Sequence, residues 1–390
     1  MRTLTLASAA VLIIVSACAQ VQRPDAGPPG FQACDADRAL TDLAVIAPGP
    51  RSARTRIAVA CAAPGAAPAG GHVGIWRLEA GAFVRAGRLD PGGPPSAVDA
   101  GDFDGDGDAD LAVITRRPDA RRVAIHVNRG EAGFATDPIV HTMGGARIDH
   151  AAFHDWNGDG RLDLLMSGGA LDTHALAAIN RGAGAAPRFS EAIILPDESN
   201  LGFSSGDLTG DLSDDLVIAL YRRGRLHLYA GGQAQADRIV LYKDARLVEE
   251  VIGGGDLNGD GEPDLVSRFW TDAAWEGEAP IPTRLLMSPD EGDDYALGAV
   301  LDGAENARRA FVGDFAGGVE IVVIPEASPG QPVEARLYAS DGEGWSPSGR
   351  LELGGDPQLA QAGDLNGDGA DQLIIGQPAD GRVQVYSPGR

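Results

Sequence analysis

The sequence predicts an all-β protein built from repeats, and three observations lead to that prediction. Glycine supplies 54 of the 390 residues, roughly twice its usual share, which indicates a chain with many turns. Apolar residues form many short runs and few stretches of helical periodicity, a pattern typical of short strands. An acidic pattern also recurs about every fifty residues, and such a period indicates a repeat architecture.

The N-terminal segment predicts export. After Arg2, the apolar run of residues 4–15 has the length of a signal peptide and is shorter than the ~20 residues that span a bilayer. Residues 15–18 read Val-Ser-Ala-Cys and resemble the lipobox of bacterial lipoproteins. That resemblance implies cleavage before Cys18 and a lipid anchor on its side chain.

Three segments follow from this reading. Residues 1–17 are predicted to be a lipoprotein signal peptide, and residues 18–30 the lipidated Cys18 with a flexible tether. Residues 31–390 form the folded part. The resemblance to bacterial lipoproteins also implies that Ala19 after the cysteine favours the outer membrane, on the cell surface or the periplasmic face. An ordinary secretory signal is the alternative.

One acidic pattern recurs along the folded part. Its five full copies start at Asp102, Asp155, Asp207, Asp256 and Asp364. An eroded copy starts at Asp314, so successive leading aspartates are 53, 52, 49, 58 and 50 residues apart. A seventh unit fits before the first copy, with APGPRSART at residues 47–55 in place of the acidic loop.

Each repeat has the same internal order of four short strands. In the first full copy these are expected at residues 96–100, 111–115, 123–127 and 138–141. Strands of this length, in fours, at a period of about fifty residues are typical of propeller blades. A single blade cannot bury both of its faces, so neighbouring blades must stack. The sequence therefore predicts a seven-bladed β-propeller.

The last repeat ends soon after its third strand, at residues 382–386. A missing fourth strand would leave an unpaired edge. We expect residues 31–36 to supply that strand and so to close the ring.

Each acidic loop is nine residues long and places oxygen donors at alternate positions. Side-chain oxygens are expected from positions 1, 3, 5 and 9, and a backbone carbonyl from position 7. Closely packed carboxylates repel one another unless a cation neutralises them, and an all-oxygen donor set favours Ca²⁺. An EF-hand is excluded, because position 12 is not Glu and the flanking segments read as strands.

We name the loops A to E in chain order and predict five calcium-ligand positions in each. Loop A contributes Asp102, Asp104, Asp106, Asp108 and Asp110. Loop B contributes Asp155, Asn157, Asp159, Arg161 and Asp163. Loop C contributes Asp207, Thr209, Asp211, Ser213 and Asp215. Loop D contributes Asp256, Asn258, Asp260, Glu262 and Asp264. Loop E contributes Asp364, Asn366, Asp368, Ala370 and Gln372.

Two of the loops depart from the pattern. Loop C has Thr209 at position 3 and Leu212 at position 6, where the other loops have Gly. A leucine resists the left-handed conformation that this turn needs. Loop E has Gln372 at position 9 and Asp371 one place early. We expect firm calcium binding at loops A, B and D, and weaker or absent binding at loops C and E.

These repeats resemble the FG-GAP/VCBS repeats of the integrin α-subunit propeller and of many exported bacterial proteins. The final unit carries the resemblance best, with Asp-Leu-Asn-Gly-Asp-Gly at residues 364–369 and Ile-Gly-Gln-Pro at residues 375–378. The resemblance covers residues 31–390. It implies a seven-bladed propeller whose outer loops hold structural calcium.

Two cysteines remain in the folded part, Cys34 and Cys61. An exported compartment permits a disulfide between them. Two buried free thiols are the alternative. A disulfide would pin the ring-closing strand to the first blade.

The charge balance excludes one class of partner. The chain has 32 Lys plus Arg against 56 Asp plus Glu, a net charge of −24. An acidic surface repels the phosphates of nucleic acid. The five loops contain 19 of those acidic residues, so much of the acidity is explained as a calcium-binding device.

No catalytic cluster stands out. Residues 202–206 match GxSxG, but that motif needs a strand-to-helix turn and here falls on the first strand of a repeat. Most candidates for a catalytic carboxylate pair are already committed to the loops. We expect a monomeric binding, adhesion or scaffold module for an unknown protein or glycan, anchored in the membrane by its lipid. A polysaccharide lyase or glycosidase on the same scaffold is the alternative.

One aromatic stretch is a candidate ligand surface. It lies in the repeat of 58 residues and contains Phe269, Trp270 and Trp275. Aromatic side chains on an exposed loop suit contact with a partner or a sugar. Packing against the edge of their own blade is the alternative.

Overall fold

The computed structural model describes the chain in segments. These are residues 30–63, 70–116, 120–144, 150–155, 157, 159–167, 176–182, 193–194, 200–206, 215–220, 225–229, 238–242, 248–260, 264–269, 271–288, 295–326, 333–342, 344–354, 357 and 359–387. The signal peptide and Cys18 lie outside the described residues. No helix in these segments has the length and apolar character needed to cross a bilayer.

The described segments form twenty-eight strands in seven four-stranded antiparallel sheets. Strand β1 (Gly30–Gln32) belongs to the last sheet. Sheet 1 contains β2 (Ala39–Ile46), β3 (Arg56–Ala62), β4 (Gly71–Glu79) and β5 (Ala82–Leu89). Sheet 2 contains β6 (Pro95–Gly101), β7 (Asp110–Arg116), β8 (Ala120–His126) and β9 (Ile139–Gly144), with a 3₁₀ helix at Gly130–Ala132. Sheet 3 contains β10 (His150–His154), β11 (Asp163–Ser167), β12 (Leu176–Ala178) and β13 (Ile193–Ile194).

The second half repeats this plan. Sheet 4 contains β14 (Asn200–Gly206), β15 (Asp215–Leu220), β16 (Arg225–Tyr229) and β17 (Arg238–Tyr242). Sheet 5 contains β18 (Val248–Gly255), β19 (Asp264–Phe269), β20 (Thr283–Met287) and β21 (Ala296–Val300), with helix α1 (Asp272–Trp275) after β19. Sheet 6 contains β22 (Ala307–Asp314), β23 (Val319–Pro325), β24 (Val333–Ser340) and β25 (Trp345–Leu353). Sheet 7 contains β26 (Leu359–Gly363), β27 (Gln372–Gln377) and β28 (Arg382–Tyr386), to which β1 adds. The prediction of an all-β chain is confirmed.

The burial of each strand follows its place in its sheet. Strand β3, second in sheet 1, is buried at all seven positions, whereas most positions of β25, the last strand of sheet 6, are exposed. A strand covered on both faces by neighbouring sheets reads as a continuous apolar run, and an outer strand reads as a mixed one.

The hydrophobic core lies in layers between consecutive sheets. One layer joins Ile46, Ala58 and Ile75 of sheet 1 to Leu111 and Val113 of sheet 2. Equivalent layers join sheets 2 and 3, sheets 5 and 6, sheets 6 and 7, and sheets 7 and 1. The first strands of the sheets contact one another in the series β14, β18, β22, β26, β2, β6, β10. The sheets therefore stack side by side, and sheet 7 contacts sheet 1.

The two ends of the described chain meet in sheet 7. Strand β1 pairs with β28, with Phe31 opposite Val383. The strand expected at residues 31–36 thus lies slightly earlier, at Gly30–Gln32. Just beyond it, Cys34 forms a disulfide with Cys61 of β3, with their Cα atoms 5.6 Å apart. Sheets 7 and 1 are joined covalently.

The structure shows which elements contain the GxSxG sequence and the aromatic stretch. The GxSxG sequence lies within strand β14, so the described part of its surroundings is a strand. Phe269 ends β19 and is 3% exposed, which favours the packing alternative for that residue over ligand contact. Trp270 lies outside the described residues. Trp275 ends helix α1, and its side chain is also outside what is described.

Candidate metal centre

Each acidic loop joins the first strand of a sheet to the second. Loop A follows β6 and ends at Asp110, the first residue of β7. The carboxylate of Asp102 accepts hydrogen bonds from the N–H groups of Gly105, Asp106 and Gly107, at 2.9, 3.0 and 2.8 Å. Gly105 and Gly107 have φ values of 76° and 90°, a conformation that favours glycine. The leading aspartate therefore shapes the turn.

The same scheme recurs in the other described loops. In loop B, Asp155 accepts from the N–H groups of Asp159 and Gly160, at 3.0 and 2.6 Å. In loop D, Asp256 accepts from Gly259 at 2.7 Å. In loop E, Asp364 accepts from Gly367 and Gly369, at 2.7 and 2.9 Å, and these backbone bonds help to lower its pKa.

Loop A brings three predicted ligands together. Asp102, Asp104 and Asp106 each present an oxygen atom, and these atoms lie within 4.8 Å of one another. The Oδ1 atom of Asp104 is buried and has no hydrogen-bond partner. Burial and the neighbouring Asp102 carboxylate raise the pKa of Asp104. A hard divalent cation fits this donor set, because it would satisfy the unpaired oxygen and offset the repulsion.

Position 9 has a role inside the protein that the ligand pattern did not predict. Asp110 is fully buried and accepts from the N–H groups of Phe103, Asp104 and Asn128, at 3.1, 3.3 and 2.6 Å. Burial raises the pKa of Asp110 to about 7, although the hydrogen bonds oppose this shift. The carboxylate ties the start of the loop to the end of the third strand of its sheet.

The position 9 arrangement is repeated around the molecule. Asp163 of loop B accepts from the N–H of Asn180 at 2.6 Å, and Asp264 of loop D accepts from that of Ser288 at 2.7 Å. In the eroded copy, Glu320 accepts from Phe315 at 2.9 Å, as Asp110 does from Phe103.

Sequence reasoning missed the residues that donate to position 9. The sequence signal that could have found two of them is the tripeptide Asn-Arg-Gly, which occurs at residues 128–130 and 180–182. Asn128 also donates from Nδ2 to the carbonyl of Ala109, and Asn180 to that of Leu162, at 3.0 and 3.3 Å. A position 9 acid and this asparagine therefore form one recurring unit.

A guanidinium from sheet 1 enters loop A. Gly49 and Ser52 form a two-bonded turn where the acidic loop of the seventh repeat would be. Arg51, within that turn, donates from Nη2 to Asp106 and from Nε to Asp108 at 2.5 Å. Asp108, at position 7, is fully buried. Its carboxylate therefore has an internal counterion from the neighbouring sheet.

Loop B carries an equivalent guanidinium from its own chain segment. Arg161 at position 7 donates from Nη2 to Asp159, and from Nε to the carbonyl of Asn180 at 3.2 Å. Arg51 likewise contacts Asp106 and the carbonyl of Asn128 at 3.4 Å. In each of these two loops, therefore, a guanidinium contacts the aspartate at position 5, although the arginine that supplies it comes from a different place in the chain.

In loop E a neutral side chain, Gln372, forms the hydrogen bonds at position 9 with the backbone of the loop itself. Gln372 accepts from the N–H of Leu365 at 2.7 Å and donates to the carbonyl of Ala370, the predicted position 7 ligand, at 2.6 Å. Asp371 accepts from the N–H of Asp314, at 3.2 Å, and so faces sheet 6.

The remaining predicted ligands are placed as follows. Asn157, Asn258 and Asn366 occupy position 3, and the oxygens of all three accept from the N–H of the position 5 aspartate. Asp260 accepts from Asn258 Nδ2 at 2.7 Å, and Asp368 accepts from the N–H of Ala370 at 3.0 Å. Asp215 is the first residue of β15. Asp207, Thr209, Asp211, Ser213 and Glu262 lie outside the described residues.

One family comparison matches the repeat. Residues 102–166, which run from loop A into β11, match the FG-GAP-like repeat. The FG-GAP resemblance is confirmed for that segment. No curated protein matches the chain by sequence.

Several solved structures are similar in fold. The lectin BP39L from Burkholderia pseudomallei superposes with a TM-score of 0.60 and 14% identity, over 91% of this chain and 98% of that one. The rhamnogalacturonan lyase PL11 from Bacillus licheniformis gives 0.55 and 12%, over 93% and 74%. Sqt1 from Saccharomyces cerevisiae gives 0.56 and 7%, over 93% and 98%. These neighbours support a propeller-like architecture, and at such identities they show the fold alone.

Proposed function

We propose that this chain is an exported β-propeller that acts as a binding, adhesion or scaffold module, with structural calcium in its acidic loops. The seven sheets would be the blades of one closed ring. The observation that carries the proposal is the convergence of Asp102, Asp104 and Asp106 around an unpaired buried oxygen, at the head of a repeated loop.

Calcium would supply positive charge and oxygen coordination at each loop. The loops connect the first two strands of a sheet, so a cation there would hold the two strands together. The leading aspartate already orders the turn through backbone hydrogen bonds. The protein would therefore need calcium mainly to offset carboxylate repulsion rather than to define the turn.

The test is a calcium titration with melting curves in excess calcium and in chelator. We expect calcium to raise the melting temperature, with binding at loops A, B and D. Asp104→Ala should remove one site. Asp371→Ala is the matched control, because that carboxylate faces sheet 6. Unchanged melting in chelator, together with no bound calcium, would overturn the proposal.

The anchoring part rests on residues 15–18, which resemble a lipobox, and is tested separately. Expression with labelled fatty acid should yield labelled protein in the outer-membrane fraction. Cys18→Ser should abolish the label and release the protein. Label retained in the variant would defeat this part.

A carbohydrate-active enzyme is the second candidate. Its supporting observation is that a rhamnogalacturonan lyase shares the fold over 93% of this chain. Propellers host many functions, so the fold does not choose between an enzyme and a binding module. Incubation with acidic and neutral polysaccharides, followed by assay for new reducing or unsaturated ends, separates the two. New ends would favour the enzyme. Binding without new ends would favour the module.

A further inference from the structure

A buried arginine in sheet 1 has hydrogen-bonding capacity that the protein does not use. Arg56 is the first residue of β3 and is only 7% exposed. Its Nε and Nη2 atoms are both buried, and neither has a hydrogen-bond partner. A buried cation without partners is costly, so this arrangement indicates a group that completes it.

The neighbours of Arg56 supply no hydrogen-bond acceptor for its Nε and Nη2 atoms. Its guanidinium lies over the ring of Phe134, 5.1 Å from the centroid. Arg77 is its cross-strand neighbour on β4 and adds a second positive charge. The opposing Asp108 carboxylate is engaged by Arg51 through its backbone N–H at 3.1 Å and its Nε at 2.5 Å.

The electrostatics of Arg56 point the same way. Burial lowers the pKa of the Arg56 guanidinium, and the charge of Arg77 adds to this. The charge of Asp108 opposes the shift without cancelling it. A second negative group beside Arg56 would therefore be favourable.

Arg56 lines a cavity of about 210 Å³ between sheets 1 and 2. Ile75 and Phe134 form apolar walls, and Gly87 of β5 also lines it. Ala86 and Arg88 are exposed and mark its mouth. The cavity is smaller than the ~300–1,000 Å³ of typical drug-sized ligand sites. It suits a ligand of about one ring or less.

We propose that this cavity binds a small carboxylate ligand, with the guanidinium of Arg56 as its counterion and Phe134 and Ile75 against its apolar part. A guanidinium matches a carboxylate as a planar fork that donates two parallel hydrogen bonds. The second cavity arginine, Arg88, is already paired with Asp35 at 3.3 Å. One unpaired positive charge therefore favours a monoanion over a phosphate dianion.

This inference rests on the proposed function in one respect, because it assigns a ligand class to a binding module. It does not depend on calcium. The cavity is formed by sheet 1, by the last residue of the 3₁₀ helix and by the segment after that helix, and its residues are outside the acidic loops.

The test is calorimetric titration of the full mature protein in chloride-free buffer, because chloride competes for a guanidinium. Acetate, galacturonate, neutral galactose and inorganic phosphate are the probes. We expect acetate or galacturonate to bind, and galactose not to. Tighter galacturonate than acetate would mean that the apolar walls hold the sugar ring, and equal affinities would mean that the carboxylate alone is recognised.

Arg56→Met should weaken carboxylate binding by roughly 10- to 100-fold, the loss expected for hydrogen bonds to a charged group. Arg54→Met is the matched control, because Arg54 pairs at the surface with Glu79 and does not line the cavity. Without ligand, Arg56→Met should melt at or above the wild-type temperature, since no hydrogen bond of Nε or Nη2 is lost. A large fall in that ligand-free melting temperature would overturn the proposal.

Three further results would overturn it. These are no carboxylate binding, carboxylate binding unchanged in Arg56→Met, and tighter binding of phosphate than of carboxylate. Each titration is repeated in excess calcium and in chelator. Calcium-dependent melting without carboxylate binding defeats only this inference. Carboxylate binding without any calcium effect defeats only the calcium part of the proposed function.

Discussion

Loops A and E have the same turn but opposite relations to their neighbouring sheets. In both, the leading aspartate accepts backbone N–H bonds from positions 4 and 6. Loop A receives a cation from sheet 1, through Arg51, and retains an unpaired Asp104 oxygen. Loop E extends a carboxylate, Asp371, to the backbone of sheet 6.

The comparison separates the folding of a loop from its need for a cation. The same backbone hydrogen bonds to the leading aspartate shape the turn in both loops. The surplus of negative charge is set by positions 3, 7 and 9, which are Asp104, Asp108 and Asp110 in loop A but Asn366, Ala370 and Gln372 in loop E. A loop can therefore keep the shape of its turn while carrying fewer carboxylates.

The largest expected difference is at position 9. Asp110→Ala leaves two buried N–H groups and one partly buried N–H group without an acceptor, and should cost roughly 3–5 kcal/mol of unfolding free energy. Gln372→Ala leaves one N–H and one carbonyl and should cost roughly 2 kcal/mol. Urea denaturation of both variants in chelator measures this. Equal losses would break the comparison.

The boundary between sheets 1 and 2 also has a pH-sensitive group. Asp42 of β2 accepts from the N–H of Leu43 at 2.9 Å and from that of Val98 at 3.0 Å. Burial raises its pKa to about 6, although the hydrogen bonds and the charge of Arg309 on β22 oppose the shift; Asp99 on β6 adds to it.

Because the folded pKa of Asp42 is raised, its contribution to stability is present below pH ~4 and is lost as the pH rises to about 6. The full loss should be about 3 kcal/mol. Asp42→Asn mimics the protonated form and should not show it. Urea denaturation of both proteins between pH 4 and pH 7 gives the difference. Parallel stability curves would contradict the prediction.

The inter-sheet arginine should have a smaller effect. Arg51→Ala removes two hydrogen bonds to carboxylates, one of them buried, and should cost roughly 2 kcal/mol in chelator. Calcium should recover part of this loss, because Asp106 is then released to the cation. Arg54→Ala, which removes only an exposed ion pair, should cost under about 0.5 kcal/mol. The two variants behaving alike would show that Arg51 is not a specific counterion.

The smallest effect should come from converting loop E toward loop A. Gln372→Asp removes the hydrogen bond to the Ala370 carbonyl and should cost about 1 kcal/mol in chelator. It should also add calcium-dependent stabilisation, because it adds a negative charge to the loop and frees the carbonyl of Ala370, the predicted position 7 ligand. Melting curves with calcium and chelator check this. Asp371→Ala is the control and should gain no calcium response.

Much of the fold could be predicted, because each repeat carries its strands in short apolar runs. The strand that completes sheet 7 was expected at residues 31–36 and lies at Gly30–Gln32, so its start differs by one residue and its end by four. At the candidate ligand surface, the sequence left open whether Phe269 contacts a ligand or packs against its own blade. In the structure β19 continues through Phe269, and the side chain is buried. Aromatic composition alone does not distinguish an exposed loop from the buried end of a strand.

The candidate site was predictable only in its local part. The oxygen pattern of loop A identified Asp102, Asp104 and Asp106, which the structure brings together. It did not reveal that Asp108 is fully buried against Arg51, or that Asp110 binds the backbone of Asn128. A ligand pattern records which atoms can coordinate a metal, but it does not record which of them the protein already uses.

The sequence by itself determined the repeat period, the positions of the loops and the shape of their turns. The turns could be predicted from sequence because the hydrogen bonds that form each turn join residues only a few positions apart. The tertiary structure decided three other features. The guanidinium of Arg51 contacts loop A, Asp371 points to sheet 6, and Nε and Nη2 of Arg56 are buried without a hydrogen-bond partner. These depend on side chains from different sheets, such as Arg51 and Asp108, which are 57 positions apart. Only the stacking of whole sheets brings such groups together.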